Sequence, residues 1–98
     1  MNIKIQAVHF DADVKLKELI IEKLQKLQKF YNSILAVDVF LKLENSGQVK
    51  DKIVELKANI PGDTIVVTSI DKSFEASLDK ASDVIIRQLK RRKEKQRA

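Results

Sequence analysis

The sequence predicts an α+β two-layer sandwich: a four-stranded sheet with two helices on one face, in the order strand-helix-strand-strand-strand-helix. Three observations lead there. Two long stretches, Val14 to about Tyr31 and Ser73 to Arg97, space their apolar residues three and four apart, as a helix with one buried stripe requires. Four shorter stretches alternate apolar and polar side chains, the period of a strand with one buried face. Between these stretches lie turn residues rather than further periodic segments.

In order, Ile3, Ile5 and Ala7 alternate with Lys4 and Gln6, so Asn2 to Val8 is the first strand. Asp13 is placed to cap the helix that follows, accepting backbone N–H groups at its positive end. The stripe of that helix is Leu16, Leu19, Ile20, Leu24, Leu27, Phe30 and Tyr31. Lys15, Lys26 and Lys29 share one flank, and Lys23 sits at the edge of the stripe, where its stem can snorkel outward. Asn32-Ser33 breaks the helix, and Ala36 to Leu43 is a second strand, with Val37, Val39, Leu41 and Leu43 set against Asp38 and Lys42. Glu44 to Gln48 is a hairpin connection to a third strand, Lys52 to Ile60. Pro61-Gly62-Asp63 turns the chain into a β-branched fourth strand, Thr64 to Ile70. Ser73 then caps the last helix, whose stripe is Phe74, Leu78, Ala81, Ile85 and Leu89. The last three strands form an antiparallel meander, and the helix between strands one and two lets those two pair in parallel.

Composition narrows the class. Ninety-eight residues, 44% hydrophobic and 34% charged with two Gly and one Pro, are expected to fold as one domain over 1–98 with a basic tail from about 90 to 98. The absence of Cys removes disulfide and thiolate-metal chemistry and suits a reducing compartment. Met1 to Gln6 lacks the apolar run of a signal peptide and no stretch has the length of a membrane span, so the expected location is the cytoplasm. No carboxylate pair, nucleophile or oxygen-rich loop accompanies the single histidine, His9, which is read as a strand-end surface residue. The expectation is a non-enzymatic chain without cofactor, metal or small-molecule substrate, monomeric when free. Phe30, Tyr31 and Phe74 lie in apolar stripes and are assigned to the core rather than to base stacking.

The charge is more informative than the motifs. Residues 87 to 98 hold seven Lys or Arg against one acid, Glu94, whereas the first 86 hold 12 basic and 13 acidic side chains. All of the net +5 therefore sits in the terminal dozen residues. Such a focused positive field implies a polyanionic partner. Lys23, Lys26 and Lys29 on the first helix and Arg87, Lys90, Arg91, Lys93 and Lys95 on the last are the candidate RNA-binding residues. If both helices cover the same sheet face, the Lys23/Lys26/Lys29 flank and the Arg87/Arg91 face can adjoin.

Beyond pattern, the chain resembles the ribosome hibernation promoting factors, also called ribosome-associated inhibitors or ribosomal subunit interface proteins. The resemblance spans the whole chain and is most specific at Ser73-Phe74-Glu75-Ala76-Ser77-Leu78-Asp79, eight residues ahead of Arg87-Gln88-Leu89-Lys90 and the basic run. Ile3-Lys4-Ile5, Glu22 to Leu27 and Val39 to Glu44 support it. It implies a fold similar to double-stranded RNA binding domains. It also implies a partner, the small ribosomal subunit and its ribosomal RNA, bound in the channel for messenger and transfer RNA so that translation is silenced in resting or stressed cells. Lys23 and Lys26 match the family's basic helix positions, and Arg87, Lys90, Arg91 and the tail match its C-terminal basic run. Where many members carry an Asp and a Tyr near the start of the last helix, this chain has Ser73 and Glu75. It looks like the short class, without the domain through which long members pair ribosomes. The competing reading is a basic module that docks an acidic protein or an anionic membrane. Against it, the apolar face of the last helix is needed by the sheet.

Overall fold

A computed structural model describes residues 1–47 and 49–97, with side chains up to Lys93. The elements are β1 (Asn2–Ala7), α1 (Val14–Phe30), β2 (Ala36–Leu43), β3 (Lys52–Ile60), β4 (Asp63–Asp71) and α2 (Phe74–Arg97). The sheet order is β1-β2-β3-β4. β1 runs parallel to β2, Ile3 opposite Val37 and Ile5 opposite Val39, and the other neighbours are antiparallel. The architecture is the two-layer α+β sandwich expected from the hydrophobic periods.

Local chemistry accounts for the boundaries. Asp13 caps α1 through a 2.8 Å bond from the Leu16 N–H, and Ser73 caps α2 through a 3.1 Å bond from the Ala76 N–H. β1 stops one residue earlier than the alternation suggests. Val8 still donates to the Leu41 carbonyl, but His9 has a left-handed φ of 64°, a conformation histidine tolerates better than most residues, and this turns the chain toward α1. Pro61 and Gly62 join β3 to β4 as a two-residue loop in which Gly62 holds the positive φ, 78°, that an L side chain would resist.

The core lies between the sheet and both helices. Val37, Val39 and Leu41 of β2, Val54, Leu56 and Ala58 of β3 and Ile65 and Val67 of β4 meet Ile20, Leu24 and Leu27 of α1 and Leu78, Ala81, Ile85 and Leu89 of α2. Each large side chain among them contributes roughly 1.5–3 kcal/mol by leaving water. One polar residue is sealed in with them. Ser77 is fully buried, and the Ser69 hydroxyl of β4 lies 2.8 Å from its own, so its hydroxyl is satisfied across the layer boundary. Phe74, assigned to the core, is half-buried with its ring stacked on Phe10 at 5.5 Å.

The helices lie side by side and parallel, since Lys23 reaches Asp79 while, later in both segments, Lys93 lies over the Tyr31 ring. α1 has 17 residues and α2 has 24, lengths of about 26 and 36 Å. The basic turns of α2 therefore extend past the end of α1, and the molecule measures 47 Å along its longest axis.

Candidate nucleic-acid interface

The parallel packing divides the helix layer into two halves of different electrostatic character. In the first, toward the start of α2, that helix presents Glu75 and Asp79 to the middle of α1. Lys23 forms an ion pair with Asp79 and lies 3.9 Å from Glu75, with only 26% of its side chain exposed. Its charge is thus shared with two carboxylates. Lys80 is tied likewise to Asp71 at 3.2 Å and to the Ile70 carbonyl at 2.7 Å.

In the second half the cations lie on exposed surface. Lys26 and Lys29 are exposed on α1, and Arg87, Lys90, Arg91 and Lys93 are exposed on α2. Lys26 lies 3.7 Å from Glu22 one turn away, an exposed pair that leaves its charge accessible. Lys29, Arg87, Lys90 and Arg91 have no carboxylate partner among the described residues. Lys29 lies in the last turn of α1, where the carbonyl end of the helix dipole favours a cation. Lys93 is positioned by the π face of Tyr31, 5.7 Å away.

Of the residues named from the sequence, Lys23 and Lys26 line the groove between α1 and α2, and Lys93 lies over the Tyr31 ring just past the end of α1. Taking 100° per residue and the groove-lining Ile86 as reference, Lys90 is about 40° and Lys93 about 20° from the groove line, whereas Arg87 is about 100° and Arg91 about 140° away. Arg87 and Arg91 are thus exposed on the outer surface of α2, as Lys29, about 100° from the groove-lining Phe30, is on α1. Lys23 leans into the inter-helix groove instead of outward. The side chain of Lys95 lies outside the described residues.

One aromatic assignment changes, that of Phe30, whereas Tyr31 packs partly buried against the core as expected. Phe30, placed in the core from the stripe, is 74% exposed: it lies on the groove side of α1 with Lys23 and Lys26, while Leu27 of the same turn is buried. Tyr31 is not helical; it is the C-cap residue, and its N–H bonds the Leu27 carbonyl. Conversely, Val84 and Ile86, which the stripe leaves out, are half-buried against the core. Ile86 faces α1 across a groove of about 240 Å³ lined by Lys23, Lys26, Leu27, Phe30, Asp79 and Ser82.

The tail of α2 is anchored at its base. Arg92 pairs with Asp63 at the β3–β4 turn, and the Thr64 N–H bond followed by that guanidinium holds the Asp63 carboxyl below the ordinary carboxylate value. The Lys72 N–H followed by Lys80 does the same for Asp71. Hydrophobic period and charge count do not reveal these anchors or the Glu75/Asp79 pair. Acids four residues apart at the start of α2, beside a lysine on the edge of the α1 stripe, are the signal that points to the pair. Among the described residues no group of His, Cys, Asp or Glu could hold a metal ion, and no helix is long and apolar enough to cross a membrane.

Known proteins share both the sequence pattern and the fold. A ribosome hibernation promoting factor of Pseudomonas putida is 31% identical over 98 residues, covering all of this chain and 92% of its own length. One from Azotobacter vinelandii is 28% identical over 96 residues, covering 98% and 86%. A ribosomal subunit interface protein from Coxiella burnetii superposes with a TM-score of 0.84 at 24% identity over 95% of this chain and 98% of that one, a likeness of fold. The N-terminal domain of Thermus thermophilus Protein Y superposes with a TM-score of 0.77 at 27% identity over 93% and 98%. The family model described as Sigma 54 modulation protein / S30EA ribosomal protein matches residues 3–97, and the chain belongs to that family.

Proposed function

We propose that this chain binds ribosomes and holds them in a translationally silent, hibernating state. The site of action is the small subunit, where the cationic half of the helix layer lies against ribosomal RNA in the decoding channel and the folded body excludes messenger and transfer RNA. The whole chain acts as the ribosome-binding unit, and its role is binding without chemistry. The observation that carries this reading is the exposure of Lys26 and Lys29 on α1 and of Arg87, Lys90, Arg91 and Lys93 on α2, toward one end of two parallel helices, in a chain whose relatives are named for ribosome hibernation. Lysine suits phosphates presented at varied angles, and Arg87 and Arg91 on the outer surface of α2 add bidentate contacts.

The membrane reading is disfavoured by packing: Leu78, Ala81, Ile85 and Leu89 are buried against the sheet, which leaves α2 no apolar face to insert. The experiment is co-sedimentation with small subunits across a salt series, beside inhibition of a cell-free translation reaction. Phosphate-dominated binding loses several decades of affinity over about a fourfold rise in salt when six or so phosphates are engaged. A chain that leaves translation untouched and never sediments with the subunit defeats the proposal.

A further inference from the structure

Resting on that ribosomal reading, we infer that the groove between α1 and α2 seats one unstacked RNA base against the ring of Phe30. Three features of the groove converge on a nucleotide. Phe30 offers a π face to solvent, 74% exposed, while the other three phenylalanines, Phe10, Phe40 and Phe74, are half-buried. Lys26, one turn before Phe30 on the same helix face, lines the groove within reach of a phosphate that flanks a base stacked there. Deeper in the same groove, the Ser82 hydroxyl is buried without a hydrogen-bond partner among the described residues. A buried hydroxyl left unpaired is costly, and one that can both donate and accept can serve the edge of any base.

The walls suit the size and character of a base. Ile86 and Leu27 give the groove an apolar floor, and the Lys23–Asp79 pair closes it on the side away from Phe30. The volume, about 240 Å³, admits a single base and not a duplex. Selection of an unpaired nucleotide follows, because a base inside a helical stack offers no free face. The cationic surface draws in any polyanion, and the groove restricts it to RNA with an extruded base.

The test titrates the intact chain and its Phe30→Ala, Phe30→Leu and Phe30→Trp variants against isolated small ribosomal subunits at several salt concentrations. Since Phe30 is exposed, the variants keep the wild-type melt. Loss of one stacked base weakens binding about tenfold or more. Phe30→Ala and Phe30→Leu are both expected to show this loss with an unchanged salt slope, because every phosphate stays neutralised. Phe30→Trp should bind as the wild type does. In a chain that otherwise has no tryptophan, its emission should be quenched in the complex. Wild-type affinity in Phe30→Ala or Phe30→Leu, or an unquenched tryptophan at saturation, overturns the base seat alone. A wild-type chain that does not bind the subunit overturns the ribosomal reading and this one with it.

Discussion

The two halves of the helix layer use the same residue types to opposite effect. Toward the start of α2 a lysine from the middle of α1 is packed between helices and shared by two carboxylates, and the result is adhesion of α1 to α2. Near the C-termini four lysines stand on exposed surface beside an uncovered phenylalanine, and the result is a surface suited to a polyanion. The difference teaches that a cation's role in this fold is set by its distance along two parallel helices. Acids cluster at the start of α2 and bases at its end, each favoured by the local sign of the dipole.

The contrast can be broken most severely from its cationic side. Replacing Lys26, Lys29, Lys90 and Lys93 together by Glu should lower affinity for small subunits by about three decades or more. It should also flatten the salt slope by about 0.7–0.9 for each phosphate left without its lysine, with the thermal melt nearly unchanged. Binding within about tenfold of wild type would show that these lysines are bystanders. Both halves share one floor, so a cavity beneath it should damage each. Leu24→Ala, at a position with no exposed surface, should cost about 2–5 kcal/mol in chemical denaturation. A loss below about 1 kcal/mol would mean that α1 is not held by the core as described.

A gentler change should turn one half into the other. Glu75→Gln with Asp79→Asn removes the partners of Lys23 and should raise affinity for small subunits on the order of tenfold, steepening the salt slope by the equivalent of about one further phosphate. Unaltered binding would place Lys23 beyond reach of RNA even when released. The smallest effect belongs to acid. The Asp63 and Asp71 carboxyls titrate below the ordinary 3.8 in the folded chain, so each stabilises the fold above that value and ceases to do so as the pH falls beneath it. The melting temperature should therefore decline below about pH 4, and less steeply in an Asp63→Asn, Asp71→Asn variant. Equal slopes in variant and wild type would remove Arg92 and Lys80 as anchors.

Much of the fold is legible in the chain itself, for a reason visible in particular residues. Alternation at Val37, Val39 and Leu41, caps at Asp13 and Ser73, and the turn at Pro61-Gly62 are local signals, governed by backbone geometry over a few residues. The basic surface is legible as a set of lysines but not as an arrangement. Which lysines face α1, and which one is neutralised, depends on how α2 slides and rotates against α1.

Phe30 makes the same point from the apolar side. Its place in the three-and-four stripe marks it as core, but it lies at the edge of that stripe, on the groove side of α1 with Lys23 and Lys26. The sequence by itself determined the elements, their order, the two-layer architecture and the concentration of positive charge in the terminal dozen residues, because periodicity, capping and charge count are properties of neighbours along the chain. Tertiary packing alone set the pairing of Lys23 with Asp79, the place of Lys93 over Tyr31, and the exposed ring of Phe30 beside Lys26 in the inter-helix groove. Those outcomes turn on contacts between residues some 56 positions apart, whose alignment is set by core packing beneath both helices and by no pattern within either one.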